Sequence, residues 1–261
     1  MKKYKYVVVS GCSFSASDYS DLVNPGETYG DLIADHYETE FYNLSESGGS
    51  LEYVNRVILE WCGKNIGELK DTLIILGMPA IDRYEVWSNK NESWLSIQLA
   101  DVDRVNGWVY LKDKELLIKE WNCAFYSYNL KHIRNYIKNC WNENDTFRKA
   151  INIIVGLQSF FKLNNIDHVF FDASALPSYD KYWKSCDEKS FGEQYSNRLL
   201  WDSLIETKNW YKHPKYKSMM DFTLKNIEMR VSESDHHPNR KGHKYWADCL
   251  LGYINEKENN V

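Results

Sequence analysis

The 261-residue chain has no strong excess of either charge: 32 Lys and Arg stand against 37 Asp and Glu, a net of −5. So balanced a surface supplies no global field toward nucleic acid or an anionic membrane, and neither is expected as a partner. Cysteine is sparse at six residues, with no CxxC pair and no zinc-ribbon spacing. That excludes a disulfide scaffold and fits free thiols in a reducing compartment. No apolar stretch approaches the roughly 20 residues of a membrane span. The run in MKKYKYVVVSG is shorter than the roughly 7–15 residues of a signal peptide, so a cytoplasmic protein is expected. A GxxxxGK[ST] phosphate loop is absent, and no GxGxxG follows the first strand, which argues against a nucleotide or dinucleotide enzyme. There is no internal repeat, low-complexity tract or linker, so one decorated domain over residues 1–261 is expected.

What is present is an ordinary globular composition, 43% apolar and 26% charged, with aromatics high at 15%. The β-branched run Tyr6 to Ser10, stopped by Gly11, predicts a buried first strand. Thr28 to Tyr37 predicts a helix, Glu40 to Leu44 a second strand, and Leu51 to Cys62 a helix with Leu51, Val54, Ile58 and Trp61 along one face. Thr72 to Leu76 predicts a third strand ended by Gly77-Met78-Pro79. Thr146 to Leu163 predicts an amphipathic helix with Asp145 as N-cap, His168 to Phe171 a fourth strand, and about Arg240 to Asn255 a last helix facing inward through Trp246, Ala247, Leu250, Leu251 and Ile254. Strands followed by helices predict an α/β fold with a parallel sheet. Two segments break this rhythm. An insertion at about 87–144 carries a hairpin, with Trp94 to Leu99 and Trp108 to Leu111 flanking Asn106-Gly107, and then a helical stretch from Glu115 to Cys140. The second is an irregular excursion at about 178–218.

Three clusters could carry chemistry. Gly11-Cys12-Ser13-Phe14-Ser15 follows the first strand directly, which puts Ser13 at the carboxyl edge of the sheet, where open α/β sheets bind ligands. Asp235-His236-His237-Pro238-Asn239 precedes the last helix; a histidine held in a loop beside a carboxylate is what general-base activation of a hydroxyl requires. Ser47-Gly48-Gly49-Ser50 follows the second strand, and backbone N–H groups in such a turn can meet a developing oxyanion. Each cluster alone reads equally well as a polar turn. Metal ligation by His236, His237 and His243 is the competing use of the histidines, but no partner motif such as HExxH accompanies them, so no metal or cofactor is expected.

In this order on a βαβ chain, the clusters resemble the SGNH/GDSL hydrolase superfamily. VVVSGCSFS is similar to its first block, with Ser13 in the nucleophile position and Cys12 where Asp is usual. NLSESGGS, from Asn43 to Ser50, is similar to the second block, where a glycine N–H helps form the oxyanion hole; Gly48 matches better than Gly49. DHHPNRKGHKYWAD, from Asp235 to Asp248, is similar to the last block. The resemblance implies a flavodoxin-like three-layer α/β/α sandwich with a central parallel sheet and an inserted hairpin or helical region. It assigns His237 as base, Asp235 as its orienting acid, and Ser13 with Gly48 and Gly49 as oxyanion donors. Two departures stand out. The third block's Asn is missing from Gly77-Met78-Pro79-Ala80, leaving Arg83 as a candidate to replace that donor or to bind an anionic substrate. The acid lies two residues before the histidine instead of three, with Glu233 the poorer alternative.

The implied activity is that of a serine esterase without a cofactor, acting on an O-acetyl or other short acyl ester of a small molecule or polysaccharide. Trp87, Trp94, Trp108, Tyr110, Tyr179, Tyr182 and Trp183 are candidates to stack on sugar rings. An acyltransferase using the same triad is the first alternative. A catalytically impaired carbohydrate- or protein-binding module is the second, made credible by the absent Asn.

Overall fold

A computed structural model describes residues 3–17, 27–80, 83–88, 93–98, 143–174 and 204–259. Five strands form one parallel sheet: β1 (Tyr6–Ser10), β2 (Glu40–Asn43), β3 (Thr72–Met78), β6 (Asp167–Asp172) and β7 (Trp210–Tyr211), in the order β2-β1-β3-β6-β7. Residues of β1 and β3 are buried along their whole length. That is the reason for the unbroken VVV and LIIL runs: a central parallel strand is covered on both faces and has no solvent side to mark with polar residues.

The strand residues alternate between two cores. Val7, Val9, Leu73, Ile75, Val169 and Phe171 pack with α1 (Tyr29–Tyr37) and α5 (Arg240–Asn259). Val8, Ile74, Leu76 and Phe170 face the other way, onto α2 (Leu51–Lys64) and α3 (Glu143–Leu163). The result is the expected three-layer α/β/α sandwich. A capping box between Thr28 and Asp31 starts α1, and the Ser50 hydroxyl, accepting from the Tyr53 N–H, starts α2. Because α1 and α2 lie on opposite faces, the chain changes direction between β1 and β3. Open α/β sheets place their ligand crevices at such switch points, beyond the carboxyl ends of the strands.

Several local expectations need correction. Asp145 lies within α3, which is described from Glu143, and so does not precede the helix as its N-cap. Leu251 is only partly buried, on the flank of the α5 face. The excursion contains the edge strand β7, whose Trp210 stacks on Phe170 at 5.4 Å and 12°; a two-residue strand is too short to show a period. It is followed by a helix that sequence reading did not anticipate, α4 (Met219–Lys225). In the insertion, β5 (Ser93–Gln98) pairs antiparallel with β4 (Arg83–Ser88), setting Trp87 opposite Trp94. The expected Trp108 to Leu111 partner, the Asn106-Gly107 turn and the Glu115 to Cys140 stretch lie outside the described residues. No described helix is long and apolar enough to cross a membrane.

The end of β6 holds a carboxyl that the fold does not fully satisfy. Asp172 accepts from the Trp210 indole, yet its Oδ1 is buried without a partner, and burial raises its pKa to about 6. A folded-state pKa above the unfolded value means that the folded form prefers the proton. Stability is therefore highest below about pH 4 for this group and falls as pH rises through about 6. Asp172→Asn removes the titration and keeps an acceptor for Trp210. The variant is expected to be more stable than the parent by about 1–3 kcal/mol at pH 8 and to gain little at pH 4. Denaturant titrations at the two pH values read the difference directly, and an equal effect at both would contradict the buried-acid account.

Candidate active site

The turn after β1 is built to hold one serine. The Cys12 carbonyl accepts from the Ser15 N–H at 2.8 Å and the Ala16 N–H at 3.1 Å, closing a helix-like turn with Ser13 at its tip. Ser15 anchors the turn from below. Its hydroxyl accepts from Tyr29 Oη at 2.8 Å, and its carbonyl accepts from Asn43 Nδ2 at 2.9 Å. Gly11 and Gly77 make room for that hydroxyl, since a Cβ at either position would stand 2.5 Å from Ser15 Oγ. Cys12 points into the α1/α5 core and is fully buried. The cysteine is thus a small core residue, and it is Ser13 that meets the crevice.

The loop before α5 brings the histidine to it. Asn239 caps α5 by accepting from the Gly242 N–H at 3.1 Å, while its Nδ2 donates to the Glu228 and Arg230 carbonyls. The Val231 N–H donates to the His237 carbonyl at 2.9 Å, and Thr223 Oγ1 donates to the His236 carbonyl. With the loop pinned at these points, His237 Nε2 lies 2.7 Å from Ser13 Oγ and His237 Nδ1 lies 2.7 Å from Asp235 Oδ1. The same Oδ1 accepts from the His237 backbone N–H at 3.0 Å. This second bond is how a carboxylate only two residues upstream can still face the ring. Glu233 is exposed and makes no such contact.

A carboxylate only accepts, so the Nδ1 proton sits toward Asp235 and Nε2 is left to accept from Ser13. Burial is the largest influence on His237 and lowers its pKa. Asp235 opposes that through its hydrogen bond and charge, while Arg83 and His236 add to the lowering. The ring is therefore neutral at physiological pH, as a general base must be. Phe14 packs against it, with ring centroids 4.6 Å apart.

The other two histidines have different work. His236 Nδ1 accepts from Arg230 Nη1 at 2.9 Å. His243 is buried on α5, accepts from the Tyr29 N–H at 3.3 Å, and has its pKa lowered to about 3, mainly by burial. Among the described residues, no group of three or more His, Cys, Asp or Glu could hold a metal ion.

The glycine turn completes the crevice. Gly48 has φ +81°, in the left-handed region, and a Cβ there would meet nothing within 4 Å. Its N–H and that of Ser13 make no hydrogen bond among the described residues. Gly49 differs from the expectation. Its N–H donates to the Glu46 carbonyl at 2.9 Å, closing the turn, so it is not available to an incoming oxygen. Its carbonyl faces Arg83, whose Nη1 lies 3.5 Å away. Of the candidate stacking aromatics, Trp87 is half-exposed on β4; Trp108, Tyr110, Tyr179, Tyr182 and Trp183 lie outside the described residues.

Sequence reading missed the supports of this site: Tyr29, Ser15, Asn43 and Asn239. The signals they leave are weak, a tyrosine at a helix start and asparagines at turns. Only the fold tells which of many such residues hold the Ser13 turn or the loop that carries His237.

No protein-family model matches the chain, and no curated protein matches it in sequence. Solved structures do match. One is a psychrotrophic esterase, EstA, from Pseudoalteromonas sp., in a form inhibited by monoethylphosphonate; it is 12% identical with a TM-score of 0.50, over 98% of this chain and 99% of that one. Another is a putative lipolytic protein of the G-D-S-L family from Desulfitobacterium hafniense, 12% identical with a TM-score of 0.45, over 95% of this chain and 99% of that one. Identity at this level speaks for architecture: the chain shares the three-layer α/β/α fold of the Pseudoalteromonas esterase.

Proposed function

We propose that this protein is a serine esterase of the SGNH type, with Ser13 as nucleophile, His237 as general base and Asp235 as the acid that orients it. The observation that carries this reading is the continuous relay Ser13 Oγ, His237 Nε2, His237 Nδ1, Asp235 Oδ1, with both contacts at 2.7 Å. Ser13 Oγ attacks the ester carbonyl as its proton passes to His237 Nε2. The carbonyl π pair moves to oxygen, where the N–H groups of Ser13 and Gly48 receive it. Collapse of this intermediate expels the alkoxide, which takes the proton from His237 and leaves an acyl-Ser13 ester. Water, deprotonated by the same histidine, then releases the acid and restores the hydroxyl. The ester we propose carries a short acyl group, foremost O-acetyl on a carbohydrate, in keeping with the family its motifs resemble.

Covalent labelling with a fluorophosphonate tests this without a guess at the alcohol, because it needs an activated serine and a working oxyanion site. Peptide mapping is expected to give a single adduct on Ser13 that is missing from Ser13→Ala. No adduct, under conditions that label a control esterase, would overturn the reading.

A further inference from the structure

Strand β4 delivers a charge to the crevice that no described carboxylate neutralises. Arg83 opens the strand, and the single side-chain hydrogen bond it makes among the described residues is the long one from Nη1 to the Gly49 carbonyl at 3.5 Å. Its Nε is buried without a partner. Nη2 has no partner either, but it is not sealed from the surroundings. The acid two residues along, Glu85, is engaged by Arg56, with Nε–Oε2 at 3.1 Å and Nη2–Oε1 at 2.8 Å. Folding alone disfavours a half-buried guanidinium with an unsatisfied N–H, so its position suits an anion that no described residue supplies.

Two neighbouring groups of the glycine turn are already engaged, while the Ser45 hydroxyl is buried without a partner. Asn43 spends its amide on the Ser15 carbonyl and its oxygen on the Ser45 N–H. Gly49 spends its N–H on Glu46. The N–H of Ser13, the N–H of Gly48 and the guanidinium that touches the residue next to Gly48 are unspent, and of these the guanidinium alone carries a charge. We propose that Arg83 is a catalytic residue, a third and charged oxyanion donor that receives, through Nη2, the oxygen made negative when Ser13 attacks. The proposal rests on the esterase reading above.

The electrostatics agree with this placement. Asp235, His236 and Arg83 act on His237, His243 faces it from α5, and Arg83 disfavours the imidazolium. A cation beside a base that must gain a proton slows the reaction unless negative charge forms beside that cation in the same step. Transfer of the Ser13 proton to His237 and of the carbonyl π pair to oxygen creates both charges together, so the guanidinium returns on the oxyanion more than it withholds from the base.

The test compares the parent with Arg83→Gln and Arg83→Lys on a neutral short-chain ester and on a carboxylate-bearing one, with thermal unfolding as a check on fold. Arg83→Gln is expected to lower kcat about 10²-fold on both esters with little change in KM, and to slow fluorophosphonate labelling in step. Arg83→Lys is expected to recover part of the loss. The acid limb of the pH profile should move upward in Arg83→Gln, because the charge that lowers the His237 pKa is gone. A loss confined to KM on the anionic ester would overturn the proposal and make Arg83 a substrate-anion anchor. So would an unchanged kcat, or a kcat loss that tracks a fall in unfolding temperature with no pH shift. Failure of the parent to label at Ser13 would instead defeat the esterase reading itself.

Discussion

Ser13→Ala is expected to reduce kcat for a short acyl ester by about 10⁴–10⁶-fold while leaving the fold intact. The size follows from the order of events, since without Oγ there is no acyl-enzyme and His237 has no proton to take. The remaining groups act on water only through binding and the oxyanion donors. The structural cost is small, because the hydroxyl makes one side-chain contact, to His237, and the turn is held by Cys12, Ser15, Tyr29 and Asn43. A stability change of about 1 kcal/mol or less is expected. Ester turnover and thermal unfolding measured on the same preparation separate the two effects. Turnover equal to that of the parent would remove Ser13 from the mechanism, whatever the fold does.

Asp235→Ala should cost about 10⁴-fold in kcat, and its pH dependence identifies the reason. In the parent, burial and Arg83 lower the His237 pKa while Asp235 raises it, and the net shift is downward from 6.5. The base is unprotonated above its pKa, so the acid limb of kcat/KM is expected below the ordinary histidine range. Removing Asp235 takes away the raising influence, so that limb moves to still lower pH. It also frees the ring to adopt the wrong tautomer. The shift is opposite in sign to that expected for Arg83→Gln, which makes the pair of profiles a direct check on which charge acts on the base. Because the three residues act as one unit, the double variant Ser13→Ala, Asp235→Ala should be no slower than Ser13→Ala alone. Additive losses would mean that Asp235 works through something other than His237 and Ser13.

The elements around the site were legible to different degrees. β1 falls where its β-branched run predicted, and α1, β2, α2 and β3 lie within a few residues of expectation; all but the four-residue β2 are long or apolar enough to show their own period. The edge strand β7 was not legible. It has two residues, and it is a strand only because Phe170 and Phe171 offer it a partner. For the expected hairpin, β5 is paired on one side with β4, and the Trp108 to Leu111 strand that Asn106-Gly107 would join to it lies outside the described residues.

The site divides in the same way. Its residue types and their order along the chain, a serine after the first strand and an Asp-x-His before the last helix, are properties of the sequence. Through the resemblance to the SGNH/GDSL superfamily they point to Ser13, His237 and Asp235. That His237 and not His236 touches Ser13 is visible only in three dimensions, where the 230–239 loop turns one ring to Ser13 and the other to Arg230. The same holds for the free N–H of Gly48 against that of Gly49, which the turn itself consumes, and for Arg83, brought to the glycine turn by the hairpin that follows the central strand β3. Local sequence determines a residue's chemistry and its nearest backbone partners, because those depend on neighbours a few positions away. Which donor stays unspent and which charge stays uncompensated depends on groups that are distant in the chain, and only the packed structure brings them within hydrogen-bonding reach.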